Sequence, residues 1–129
     1  MKAPLLFLFI SLISLTSNKE EYPSEKGIII LKDTTFDKFI EKHPYLLVLF
    51  YAPECPHCQK FHPEYEKAAK TLTKKGLTLA KVDVTVETNV TARYGISGIP
   101  TIFLFIEGKP IENLEKEVTL ILLISFIKN

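Results

Sequence analysis

Leu46-Leu47-Val48-Leu49-Phe50-Tyr51 sets six apolar side chains in a row. A strand sends successive side chains to opposite faces, so a run like this is stable only where both faces are covered. The neighbouring segments can cover them. Phe36, Phe39 and Ile40 follow a helical i, i+3, i+4 spacing, with Asp33 as a candidate N-cap and His43-Pro44 as a stop. From Gln59 to about Lys74 a second helix is expected, carrying Tyr65, Ala68, Ala69 and Leu72, kinked at Pro63 and ended by Lys75-Gly76.

Further along, the pattern keeps alternating. Short strands are expected at Ile28–Leu31, Leu77–Val84 and Thr101–Ile106, with a helix at Asn89–Tyr94 stopped by Gly95. Glu107-Gly108-Lys109 is a turn, and Ile111 can begin an edge strand. Leu120, Leu123, Ile124 and Ile127 mark one face of a last helix, to which Ile121, Leu122 and Phe126 add a second apolar surface. That helix packs on the sheet or leaves a patch for clients or a partner subunit. Phe36, Phe39, Phe50, Phe103 and Phe105 are expected in the core. Strands alternating with helices imply an α/β domain with helices on both faces of a central sheet.

The only two cysteines stand in Cys55-Pro56-His57-Cys58, between the long apolar run and the helix that follows it. A sulfur at a strand-to-helix turn lies against the positive end of the helix dipole, which favours the thiolate and makes it nucleophilic near neutral pH. As a structural staple the pair contributes little, because two intervening residues close too small a loop. Cys55, Cys58 and His62, with His57 or His43, have a spacing that zinc could use. Structural zinc sites usually draw a second ligand pair from a distant segment, so no metal is expected. Covalent haem attachment needs histidine directly after the second cysteine, where this chain has Gln59. No cofactor is expected. His43 and His62 are taken as surface or packing residues.

The first residues read as a targeting segment. Lys2 precedes the apolar stretch Leu5–Ile13, and the small residues Ser14 and Thr16 suit a cut after Thr16. A membrane anchor needs about 20 apolar residues, and the polar run from Ser17 arrives sooner. The expected organisation is a signal peptide over 1–16, a polar linker over 17–26 and one domain over 27–129. The chain is therefore expected in the secretory pathway, in the endoplasmic reticulum lumen or secreted, with no membrane span after cleavage. A net charge of +1 with both signs interspersed excludes a nucleic-acid footprint. Asn89-Val90-Thr91 is a possible N-glycosylation site.

Three segments carry a family resemblance. Phe50-Tyr51-Ala52-Pro53-Glu54-Cys55-Pro56-His57-Cys58 and its continuation to Ala69, the strand Leu79–Thr85, and Tyr94-Gly95-Ile96-Ser97-Gly98-Ile99-Pro100-Thr101 resemble catalytic domains of the protein disulfide isomerase family, in the thioredoxin superfamily. The likeness implies a thioredoxin fold with a mixed sheet of four to five strands. It implies a thiol–disulfide oxidoreductase or isomerase in which Cys55 attacks and Cys58 resolves a mixed disulfide. Pro56, His57, Glu54 and Lys81 would modulate the dithiol. Pro100, in cis, would leave the Ile99 backbone open to an extended substrate. Implied partners are client proteins with thiols or disulfides, and glutathione or an oxidase as redox partner. The alternative is a client-binding module of chaperone type with weak redox activity.

The resemblance has gaps. Pro56-His57 replaces the family's usual glycine-histidine and is similar to the dipeptide of a strongly oxidising bacterial periplasmic member. Glu54 stands where tryptophan is common; at about 6 Å a carboxylate costs a thiolate roughly 0.7–2.8 kcal/mol for effective dielectrics between about 80 and 20. The helix end and His57 are expected to outweigh it. Leu114-Glu115-Lys116-Glu117-Val118 replaces an arginine-bearing pattern, and Arg93 is the only arginine. The final residues Ile127-Lys128-Asn129 are not a KDEL-type tetrapeptide, so retention is expected to need a partner, another mechanism or a missing C-terminal part. Leu49 stands where the family has a buried acid that takes the proton of the resolving cysteine. Lys81 is then left without its carboxylate and is expected to snorkel. Leu49→Glu should accordingly speed release of a mixed disulfide in single-turnover kinetics, and unchanged kinetics would remove the argument.

Overall fold

In the computed structural model, residues 20–111 are described. The signal-peptide segment, the start of the linker, the Leu114–Val118 departure and the last helix with its apolar patch all lie outside them. Everything described is arranged around one strand, β3 (Tyr45–Tyr51), in which Leu46 through Phe50 are fully buried. It pairs in parallel with β4 (Thr78–Asp83) and antiparallel with β5 (Thr101–Ile106). β2 (Ile28–Ile30) extends the sheet beyond β4, and β6 (Lys109–Ile111) beyond β5.

Alternation along β3 divides the core. Leu46, Val48 and Phe50 meet Ala80, Val82 and Phe105 under Phe36, Phe39 and Ile40 of α1 (Phe36–Lys42) and Val90 of α3 (Thr88–Arg93). Leu47 and Leu49 meet Ile28, Leu79 and Ile102 under Tyr65, Ala69 and Leu72 of α2 (Pro56–Leu72). The mixed sheet with helices on both faces is the fold expected from the sequence.

The sheet has six strands, against the four or five expected. The addition is β1 (Ser24–Glu25), inside the segment read as polar linker, paired antiparallel with β2. Lys26 and Gly27 make its turn, both with positive φ (50° and 80°). That is the conformation which suits a two-residue hairpin, and glycine reaches it without strain. Two exposed polar residues gave no strand pattern to read, yet the hairpin brings Glu25 over the α2 face of the sheet, opposite Ile28.

Asp33 also differs from expectation. The helix after it starts with Thr35 as N-cap and no side-chain cap. The Asp33 carboxylate instead accepts from the amides of Asn89 (3.3 Å) and Val90 (2.9 Å), capping α3 across the fold. A carboxylate satisfies orphan amides at any helix start it can reach.

One buried hydroxyl fixes α2 to the sheet. Tyr65 Oη lies 2.7 Å from the Ala80 carbonyl and 3.0 Å from that of Leu47, bridging β4 and β3 from inside the core. Tyr65→Phe should lower the unfolding free energy by about 1–2 kcal/mol, because the packing stays while the buried bond goes. A urea melt measures it, and an unchanged midpoint would deny the bond a structural role.

Candidate active site

β3 ends at Tyr51 and the chain turns through Ala52–Glu54 into α2, held by Cys55 N–H donating to the Ala52 carbonyl (3.2 Å) and Gln59 Nε2 donating to the Pro53 carbonyl (3.0 Å). Cys55 is the N-cap of α2, with φ −76° and ψ 117°, and Pro56 begins the helix. Proline suits that place: its φ is already helical and it has no amide to leave unpaired.

Cys55 Sγ accepts the Cys58 N–H at 3.2 Å, taking the part an N-cap serine or aspartate oxygen usually plays. The bond grows stronger as the sulfur gains charge. No acid stands in the first turn of α2 to compete for the helix's positive end. Cys55 is half-buried, Cys58 is fully buried, and Pro56, His57 and Glu54 are exposed around them. An accessible sulfur at a helix start with a second sulfur sealed one turn behind it suits sequential exchange: attack from outside, then closure from within.

The Ile99–Pro100 peptide bond is cis. Phe50 pairs with Thr101, so Pro100 stands opposite the Tyr51 end of β3, at the edge of the sheet from which the dithiol turn leaves. Pro100 is buried and Ile99 half-buried, while Thr101 Oγ1 donates to the Gly98 carbonyl. Asn89 is exposed on α3. His43 donates from Nδ1 to the Phe39 carbonyl (2.8 Å) and stacks on that ring at 3.8 Å, a packing role. Among the described residues no His, Cys, Asp and Glu side chains gather as a metal site, and no helix is long and apolar enough to cross a membrane.

Lys81 corrects an expectation. It does not lack a carboxylate and does not snorkel. Its side chain is 7% exposed and its Nζ lies 3.0 Å from Glu25 Oε2, supplied by β1. The ammonium also lies over the Tyr51 ring, 5.3 Å from its centroid. Leu49, the register partner of Lys81, is fully buried in the α2-facing core. The acid that faces Lys81 thus comes from an edge strand rather than from position 49. The Lys81 hydrogen bond and then its charge hold the Glu25 carboxyl below the usual carboxylate range, with smaller help from Lys26 and His62. Burial, followed by the charges of Asp83 and Glu25, pushes the Tyr51 phenol up.

The sequence reading missed Glu25 and Tyr51 as neighbours of this site, and it grouped His62 with the cysteines only as a zinc spacing before taking it as a surface or packing residue. For His62 a signal existed, since it stands four residues after Cys58 on a helix and so shares its face.

The thioredoxin family model matches residues 27–129. The chain belongs to the thioredoxin family. Over 88 residues it is 47% identical to a probable protein disulfide-isomerase A4 of Caenorhabditis elegans, covering 68% of this chain and 14% of that protein. It is 39% identical over 109 residues to the protein disulfide-isomerase of Drosophila melanogaster, covering 83% and 22%. The solution structure of the first thioredoxin domain of mouse protein disulfide-isomerase A4 superposes with a TM-score of 0.73 at 31% identity, covering 85% of this chain and 82% of that one. The chain thus spans about a seventh to a fifth of the curated relatives it matches.

Glu25 is ionised when folded over a wider pH range than when unfolded. A depressed carboxyl adds stability that is present above its unfolded titration and is lost as pH falls through the folded one. Glu25→Gln should therefore melt below wild type at pH 7, with the gap closing as the pH is lowered through that range. Lys81→Met, which removes the buried charge as well, should melt at or above the Glu25→Gln variant. Thermal melts against pH read both, and a pH-independent gap would exclude the ion pair as its cause.

Proposed function

We propose that this domain is a thiol–disulfide oxidoreductase that forms or rearranges disulfides in client proteins of the secretory pathway, in the endoplasmic reticulum lumen or outside the cell. The observation that carries the reading is the Cys58 amide donating to Cys55 Sγ at the start of α2, with the second sulfur buried behind it. The signal-like N-terminus and the disulfide-isomerase relatives support the compartment and the substrate class.

Cys55 thiolate attacks a client disulfide, one client sulfur leaves, and a Cys55–client mixed disulfide forms. Cys58 then loses its proton and attacks Cys55 Sγ, releasing the client thiol and closing the Cys55–Cys58 bond. Run backwards, the same steps oxidise a client dithiol. His57 and Pro56 border the sulfur and favour its anion, so the domain works as an oxidant or isomerase. Glu54, exposed, opposes this weakly. Ile99 and Pro100 border the same end of the sheet and bind the extended client segment through main-chain hydrogen bonds. Glutathione or an oxidase turns the dithiol over. Asn89 carries a glycan.

Reactivation of scrambled ribonuclease in a glutathione buffer tests the reading. The domain should restore activity, Cys55→Ser should abolish this, and Cys58→Ser should accumulate mixed disulfides with the substrate. A domain that suppresses aggregation, restores no activity and tolerates Cys55→Ser would be a client-binding module instead.

A further inference from the structure

His62 stands one helical turn beyond Cys58, and its Nδ1 lies 3.0 Å from the Cys58 carbonyl oxygen. A carbonyl only accepts, so Nδ1 carries the hydrogen and Nε2 is the basic nitrogen of the ring. The ring is half-buried, edge-on to Tyr51 with centroids 5.0 Å apart. Lys81 lies over the same Tyr51 ring and is bonded to Glu25. Of the titratable and charged groups, Tyr51 on β3 touches the imidazole, Cys58 on α2 is bonded to it through its carbonyl, and Glu25 on β1 is near enough for the two charges to interact. The His62 charge is the smallest of the influences that lower the Glu25 carboxyl, after those of Lys81 and Lys26.

Cys58 is fully buried, so its proton must pass to a protein group before its sulfur can attack. His62 shares the helix face of Cys58 and is bonded to its carbonyl, which places an imidazole one turn from the thiol. We propose that His62 accepts the Cys58 proton in the resolving step. This rests on the oxidoreductase reading above. With glutathione disulfide as substrate, Cys55 thiolate forms Cys55–S–S–glutathione and releases glutathione thiolate. The Cys58 proton then moves to His62, the Cys58 thiolate attacks Cys55 Sγ, and a second glutathione thiolate leaves. The protein dithiol gives up two electrons, and glutathione disulfide becomes two thiols that take up the two protons.

The experiment mixes the reduced full chain with glutathione disulfide, quenches with acid at intervals and counts the adduct by mass spectrometry. Each trace gives a formation rate, which reports Cys55, and a resolution rate, which reports Cys58. The resolution rate of wild type should inflect between about pH 5 and 8, where an imidazole titrates. His62→Asn keeps a donor for the Cys58 carbonyl but no base. It should abolish the inflection and slow resolution at pH 7 by about tenfold or more. His62→Gln is run in parallel in case asparagine weakens α2. Wild-type resolution with a wild-type pH profile in both histidine variants overturns the inference, as does slowing of formation and resolution by the same factor. Failure of the wild-type chain to form any adduct removes the oxidoreductase reading and this inference together.

Discussion

β3 is covered on both faces, and that single constraint places everything else. Five successive buried side chains need α1 and α3 on one side and α2 on the other, with β4 and β5 along both edges. To lie under this strand, α2 must begin where the strand ends, so the connection is a tight turn. A tight turn into a buried helix leaves amides at its start that need an acceptor. Here the acceptor is sulfur. One contact, from the Cys58 amide to Cys55 Sγ, both satisfies the helix start and puts a donor on the sulfur.

Most of the fold was legible because its elements carry strong patterns. A continuous apolar run, a helical i, i+3, i+4 stripe and proline or glycine stops are local signals, and β3, α1, α2 and β5 lay where they indicated. What escaped was long-range and polar. Ser24 and Glu25 have no strand propensity to notice; they pair because Lys26 and Gly27 turn the chain back on β2. Asp33 has the chemistry of a cap, but which helix it caps depends on the distance to α3, which no local window contains.

The site divides in the same way. Cys55 and Cys58 were readable from spacing and from their place between strand and helix. The resemblance to disulfide isomerases directed attention to position 49 and found leucine there, which made Lys81 look orphaned. Its partner was on a strand the sequence did not reveal. Electrostatic partners are chosen in three dimensions, so a missing residue at one position does not establish a missing charge at the site.

The two faces of the sheet are therefore unlike in kind. Under α1 and α3 the packing is apolar, with Tyr94 and Phe103 joining the aromatic contacts of Phe36, Phe50 and Phe105. Under α2 an apolar centre borders a polar seam running from Cys58 through His62 and Tyr51 to Lys81 and Glu25. A buried ammonium is costly without a counter-charge, and a fully buried pair often gains nothing over hydrocarbon. Glu25 eases that cost by keeping its carboxylate 60% exposed while reaching Lys81. An ionised acid can then act on the α2 face without being desolvated inside it. An edge strand gives it that position, since one side of its backbone and side chains stays in water. Leucine at position 49 is compatible with charge on the α2 face for the same reason: the core stays apolar and the charge enters from the rim.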